Sequence, residues 1–173
     1  MNLQLRKIEP SDLPFLYQWE NDATMWADSD THNPLSRHDL HQYIENTTGD
    51  IYRDGQLRLI IEDSQLSPLN SQLSTKIVGC IDLFDFDARN RKAAIGMYIA
   101  PDARGRGVGK QAVQLLLDYA FNFLHLRMVY AIISVNNVAC SRLYEQMDFL
   151  PSSLLRTWTL EGDAILWQKM NTN

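Results

Sequence analysis

Little in this sequence points away from a compact, water-soluble chain. It has only two cysteines in 173 residues, Cys80 and Cys140, too few for a disulfide framework. No apolar run approaches the roughly 18 residues that a membrane helix needs. The opening stretch MNLQLRKIEPSD lacks the apolar segment of a secretory signal. With no export signal, the cysteines read as buried thiols and the expected location is cytoplasmic. Positive charge is also short: 16 Lys and Arg against 21 Asp and Glu leave a net charge of −5, which argues against a general nucleic-acid binder. His32, His38 and His41 lack the spacing of a metal-ligand set. They read as surface or acceptor-site histidines, and no metal is expected. Repeats and low-complexity tracts are absent.

What is present fits one domain over residues 1–173. Hydrophobic residues make up 45% and charged ones 21%, the balance of a globular core with a solvated surface. Charge is segregated along the chain. Residues 1–63 hold five Lys/Arg and twelve Asp/Glu, whereas residues 89–110 hold six Lys/Arg and Asp102 alone. An anion site in the middle and a cation-tolerant site near the start would explain this, as would ordinary surface charge.

Alternation predicts strands over 3–8, 57–63, 76–86, 92–100 and 127–134, with the polar turn DARN joining two of them as a hairpin. Two more strands flank Glu161-Gly162-Asp163. Ser11 reads as the N-cap of a first helix, and Ser36 opens a second. A long helix is expected from Gly107 to His125, burying Val108, Ala112, Leu115, Leu116, Tyr119 and Phe123. A further helix covers 137–147. The polar stretch 64–76 reads as an exposed loop. This order predicts an α+β fold with a mixed, mostly antiparallel sheet.

The most informative stretch is IGMYIAPDARGRGVGKQAVQ. Three alternate glycines lie among Arg104, Arg106 and Lys110 at the mouth of a helix. Glycines let successive amides point one way, and a helix start leaves amides without partners, so the turn suits a phosphate or diphosphate. A glycine-containing loop with solvated basic side chains is the plain alternative. A Walker-type P-loop is excluded, because Arg104 and Gln111 stand where Gly and Ser or Thr are needed. GVGKQA also matches a dinucleotide-binding pattern, but no acid follows about 20 residues later to hold a ribose.

RGRGVG resembles the R/Q-x-x-G-x-G/A signature of the GCN5-related N-acetyltransferase (GNAT) family. LRKIEPSDLPFLYQWEND resembles that family's first strand and helix, and NNVACSRLYEQMDFL resembles its later helix. The spacing is nearest the spermidine and ribosomal-protein acetyltransferase branch. The resemblance implies a central sheet with two splayed strands and flanking helices. It implies acetyl-CoA as cosubstrate, with direct transfer to an amine and no covalent enzyme intermediate. The diphosphate would lie on Arg104, Gly105, Arg106, Gly107, Val108, Gly109 and Lys110. Met97, Tyr98 and Ile99 would pair with the pantetheine, and the Ile99 amide would face the thioester oxyanion. Asn137 would help seat the cosubstrate, or simply cap its helix.

The same resemblance makes Tyr144 the general acid towards the departing sulfur; its plain alternative is a core tyrosine. The family's strand-borne glutamate is replaced by Ala94, which leaves Asp82, Asp85 or a water chain to take the proton. Three apart in a regular strand, the two acids would face opposite ways. Cys140 and Asp148 stand where the family has Ala and Gly, and Asp tolerates a left-handed turn. The acceptor would be a polyamine, an aminoglycoside-like amine or a peptide N-terminus. Glu20, Asp22, Asp28 and Asp30 beside Trp19 and Trp26 would draw its positive charge. A CoA-binding module without transfer activity is the rival reading, and a homodimer is left open.

Overall fold

The computed structural model describes residues 1–28, 33–66 and 73–172. Seven strands form one sheet in the order β1-β2-β3-β4-β5-β7-β6. They are β1 (Leu3–Lys7), β2 (Leu57–Leu66), β3 (Leu73–Asp87), β4 (Lys92–Ile99), β5 (Met128–Ser134), β6 (Leu150–Thr159) and β7 (Gly162–Met170). Every neighbouring pair is antiparallel except β4 and β5. Five helices flank the sheet: α1 (Leu13–Glu20), α2 (Arg37–Asn46), the short α3 (Ile51–Asp54), α4 (Val108–Asp118) and α5 (Val138–Gln146). No helix among the described residues is long and apolar enough to cross a membrane.

The period-two pattern of the strands sorts the core onto two faces. Leu57, Leu59 and Ile61 of β2, Ile81 and Leu83 of β3, Ala93 and Ile95 of β4, and Val129, Ala131 and Ile133 of β5 pack under α4 and α5. The intervening Ile60 and Cys80 face the other way, with Leu16 and Trp19 of α1 and Leu40 and Ile44 of α2. α2 begins as its sequence foretells. Ser36 Oγ accepts the Asp39 amide at 3.1 Å while Asp39 accepts the Ser36 amide at 3.0 Å, a reciprocal capping box.

Several expectations need correction. Ser11 is not the cap of the first helix; it sits inside a 3-10 turn, Pro10–Asp12, that precedes α1. Buried Asp12 fastens this entry, accepting the Glu9 amide at 2.8 Å and two bonds of 2.7 Å from Arg6. The predicted loop 64–76 is narrower than drawn: β2 continues to Leu66 and β3 resumes at Leu73, and 67–72 lie outside the described residues. The long helix changes form after Asp118. Residues Tyr119–Phe123 make a π turn, marked by the Leu124 amide bonding the Tyr119 carbonyl at 3.1 Å. The extra residue in that turn swings Phe123 outward, 70% exposed, where it stacks on Tyr119 at 5.1 Å. Asp148 does take the left-handed conformation, at φ 58°.

The thiols are in very different places. Cys80 lies in the α1/α2 core, and burial, with the nearby Asp82 charge, pushes its pKa up to about 12. Cys140 is half-exposed on α5. Iodoacetamide at pH 8 is therefore expected to alkylate Cys140 and spare Cys80 until the protein is denatured, as read by peptide mass spectrometry. Equal rates would contradict the burial. A second expectation concerns β3 and β4, which lie so close at Gly79 that a Cβ there would stand 2.2 Å from the Tyr98 carbonyl oxygen. Gly79→Ala should cost about 1–3 kcal/mol in urea unfolding; an unchanged midpoint would refute that contact.

Candidate active site

The site is organised by a parting of strands. β4 and β5 pair only at Lys92/Met128, Ala93/Val129 and Ala94/Tyr130. Beyond that point β4 stays with β3 as far as Ile99, and β5 stays with β7 as far as Ser134. The two strands thus continue, but no longer with each other. The Ala100 amide bonds the Val78 carbonyl at 2.9 Å. Antiparallel alternation then turns the main-chain groups of Tyr98 and Gly96 towards β3, and those of Ile99, Met97 and Ile95 into the gap. Of the predicted trio, Met97 and the Ile99 amide therefore present free-edge backbone. Tyr98 does not; its ring meets Trp19 at a tilt, with centroids 5.2 Å apart, on the α1/α2 face.

At the open end of the gap lies the glycine-rich turn. Gly105 and Gly107 have φ of 71° and 81°, a conformation that costs glycine nothing. A Cβ on either would meet no atom within 4 Å, so the space above the turn is open. The first bond of α4 is from the Gln111 amide to the Gly107 carbonyl, at 3.2 Å. The amides of Val108, Gly109 and Lys110 thus precede the helix ladder and point outward with its dipole. Exposed Arg104, Arg106 and Lys110 surround them. Arg104 Nε also donates to the Ile99 carbonyl at 2.9 Å, tying the turn to the end of β4. Donor amides, positive charge and open volume fit the diphosphate of acetyl-CoA.

Three elements close the bottom of this region. A Cβ on Gly109 would stand 3.2 Å from Met97 Cε and 3.3 Å from Leu143 Cδ2, so the first turn of α4, β4 and α5 converge there. Tyr144, on α5, is 2% exposed and meets Phe149 edge-on at 4.7 Å. Burial pushes its phenol pKa far up, so it stays protonated. Asn137 Oδ1 accepts the Cys140 amide at 3.0 Å, which makes it the N-cap of α5. It also lines, with Asn136, Val138, Ala139 and Glu161, a cavity of about 330 Å³.

The two candidate bases have different fates. Asp82 is held by Arg58 through two bonds of 2.9 Å, and the same guanidinium binds Glu20 at 2.5 Å. Asp82 and Glu20 are thus committed to an ion-pair network. Asp85 lies in an irregularity of β3 between Phe84 and Asp87, at φ 48°. This breaks the strict alternation that would have sent the two acids to opposite faces. Asp85 is exposed, and its Oδ2 accepts a short hydrogen bond from the Tyr130 hydroxyl. Burial and that bond raise the Tyr130 pKa well above its ordinary value.

Arg58 and Tyr130 were not singled out from sequence. Each sits in an apolar strand whose register alone reveals its partner. In the acidic segment, Asp22 Oδ1 accepts the Thr24 amide at 3.0 Å and its hydroxyl at 2.6 Å, which hold its pKa below the usual carboxylate value. Trp26 Nε1 donates to the Glu20 carbonyl at 3.0 Å. Asp30 and His32 lie outside the described residues, as does the Asp28 side chain. His38 is exposed, and His41 faces Glu45 at 3.3 Å. Among the described residues no group of three His, Cys, Asp or Glu forms a metal site.

Comparison with known proteins agrees with this geometry. The family model described as the acetyltransferase (GNAT) domain matches residues 2–150. A spermidine N(1)-acetyltransferase of Vibrio cholerae is 26% identical over 151 residues, covering 86% of this chain and 79% of its own length. A putative ribosomal N-acetyltransferase of Bacillus subtilis is 35% identical over 80 residues, 46% of this chain and 44% of its own. The solved structure of the Vibrio cholerae spermidine N-acetyltransferase with CoA and spermine superposes with a TM-score of 0.84 at 22% identity, covering 98% of this chain and 96% of that one. With a family model spanning most of its length, the chain belongs to the GNAT acetyltransferase family.

Proposed function

We propose that this enzyme transfers the acetyl group of acetyl-CoA directly to a primary amine of a small polycation of the polyamine class. The observation that carries the reading is the parting of β4 and β5 beside the amide-rich turn. A tail carrying amides enters such a gap as an added strand. When bound, acetyl-CoA supplies the activated acyl carbon; the remaining work falls to the chain. The amides of Gly105, Arg106, Gly107, Val108, Gly109 and Lys110, with the charges of Arg104, Arg106 and Lys110, grip the diphosphate. The main-chain groups of Ile95, Met97 and Ile99 align the tail.

Position along β4 revises one assignment. Ile99 lies five residues beyond Ala94, about 17 Å up the strand, beside the diphosphate turn. The amides of Ile95 and Met97, nearer the parting point, are the ones left to meet the acyl end and stabilise negative charge there. Tyr144 stands on α5, the helix whose Leu143 converges with Met97 and Gly109, and, being protonated, acts as the proton donor to the leaving sulfur. Asn137 holds the first turn of α5 in place beneath it. Asp82 fixes Arg58, and with Glu20 it leaves that cluster one negative charge in excess. The polyamine class is favoured by the relatives named for spermidine and by the half-buried, ionised Asp22 near Tyr98.

Acetyl transfer to spermidine, a monoamine, an aminoglycoside and a basic peptide tests the reading. Transfer fastest to spermidine is expected. Transfer to the peptide alone would overturn the acceptor class, and CoA binding without transfer to any amine would overturn the activity. Gly107→Glu should weaken acetyl-CoA binding at least about a hundredfold, roughly 2.7 kcal/mol, by calorimetry, because it sets a carboxylate over the turn's amides. Tyr144 makes no hydrogen bond through its hydroxyl among the described residues. Tyr144→Phe should therefore leave the melting temperature nearly unchanged while kcat falls by roughly a hundredfold.

A further inference from the structure

The point where the strands part has one approachable side. On one face, Ala93, Ile95, Val129 and Ala131 are packed beneath α4 and α5. By alternation Ala94, Gly96, Tyr130 and Ile132 face the other way. That face is open at its far end, where Ile132 is 41% exposed. Ala94 and Gly96 contribute almost no side chain, but the Phe84 ring covers Gly96, where a Cβ would stand 3.2 Å from Phe84 Cε1, and Ala94 and Tyr130 are buried, so an acceptor coming from this side first meets the exposed Asp85 carboxylate. Two polar side chains stand at that rim, and they are joined: Tyr130, the cross-strand partner of Ala94, donates its hydroxyl hydrogen to Asp85 Oδ2.

The chemistry of this pair is one-sided. With its proton committed to Asp85, the Tyr130 oxygen has only lone pairs to offer. Asp85 Oδ1 has no hydrogen-bond partner among the described residues, and a carboxylate is an acceptor only. Neighbouring charges do not cancel the site. Lys92 lies 5.8 Å from the Tyr130 ring centroid and Asp87 also faces this tyrosine, so the local balance is one negative charge. A rim that presents acceptors and negative charge selects a group that brings donors and positive charge.

We propose that Asp85 Oδ1 and the Tyr130 hydroxyl oxygen together hold the acceptor's primary ammonium group where β4 and β5 part. This rests on the transferase reading above and names the residues that choose its acceptor. The pair supplies the charge that the missing carboxylate at Ala94 would have brought, from the neighbouring strand instead. It orients the nitrogen towards the gap, where loss of one N–H proton to solvent water frees the lone pair that attacks, and it discriminates against alcohols and carboxylates, which lack either the charge or the donors.

The test uses the full chain with Asp85→Asn and Tyr130→Phe. Steady-state kinetics with spermidine and acetyl-CoA are paired with calorimetric titration of spermidine into the CoA-saturated protein. Asp85→Asn should raise the amine KM and Kd about tenfold or more, as expected when one partner of a charge pair is neutralised. Acetyl-CoA KM should be unchanged. Tyr130→Phe should move the same two quantities in the same direction. It keeps the ring and the strand, so it reads the site even if Asp85→Asn unsettles the β3 irregularity. Unaltered amine KM and Kd in Tyr130→Phe, or a loss of acetyl-CoA affinity equal to the loss for amine, would overturn the assignment. A wild-type protein that acetylates no amine refutes instead the transferase reading beneath it.

Discussion

The structure depends on two strands that stay in one sheet while ceasing to pair with each other. Main-chain donors and acceptors inside a sheet are costly to leave unmet. Here Ile95 and Met97, with the Ile99 amide, leave theirs facing a gap in the middle of seven strands, while the Ile99 carbonyl is met by Arg104 Nε. They can do so because each strand is anchored on its far edge, β4 by β3 through Ile99 and β5 by β7 through Ser134. Both are also packed face-on beneath α4 and α5. The unmet groups are thus a fixed feature of a rigid frame, available to a ligand that brings amides of its own.

The frame also sorts charge. At the wide end of the gap, unpaired amides, a helix dipole and three exposed basic side chains surround open space. At the narrow end lie Asp85 and Tyr130, with the Glu20–Arg58–Asp82 network one row away in β2 and β3. A molecule that is anionic at one end and reactive at the other is therefore oriented before it docks.

Much of this was legible in the chain itself. The element order, the DARN hairpin and the α2 capping box follow from local patterns, and the turn at 104–110 is legible because glycine spacing and helix starts are local physics. What sequence could not supply is register. Arg58 sits in LRLIIED and Tyr130 in RMVYAIIS, and nothing nearby says that one meets Asp82 across 24 residues or the other Asp85 across 45. Tyr98 was grouped with Met97 and Ile99 by adjacency, but alternation sends its main chain to β3. Phe123 fitted a helical period that a π turn interrupts. Each miss arises where one residue's insertion or one strand's register decides which way a side chain points.

Register also makes sense of the most conspicuous departure from the family pattern. Ala94 is 4% exposed, opposite Phe84 and beside Tyr130. A glutamate there would bring a second carboxylate to the rim that Asp85 already occupies, and like charges at such range oppose each other's ionisation. Asp85 reaches this position only by taking φ 48°. Such a conformation costs a non-glycine residue of order 1 kcal/mol, and aspartate is among the few that tolerate it. The hydrogen bond from Tyr130 offsets that cost, and the small side chain at 94 leaves room for it. Alanine on β4 and the bent aspartate on β3 are therefore one arrangement, in which the small side chain at 94 accompanies the hydrogen bond from Tyr130 to Asp85 across β4.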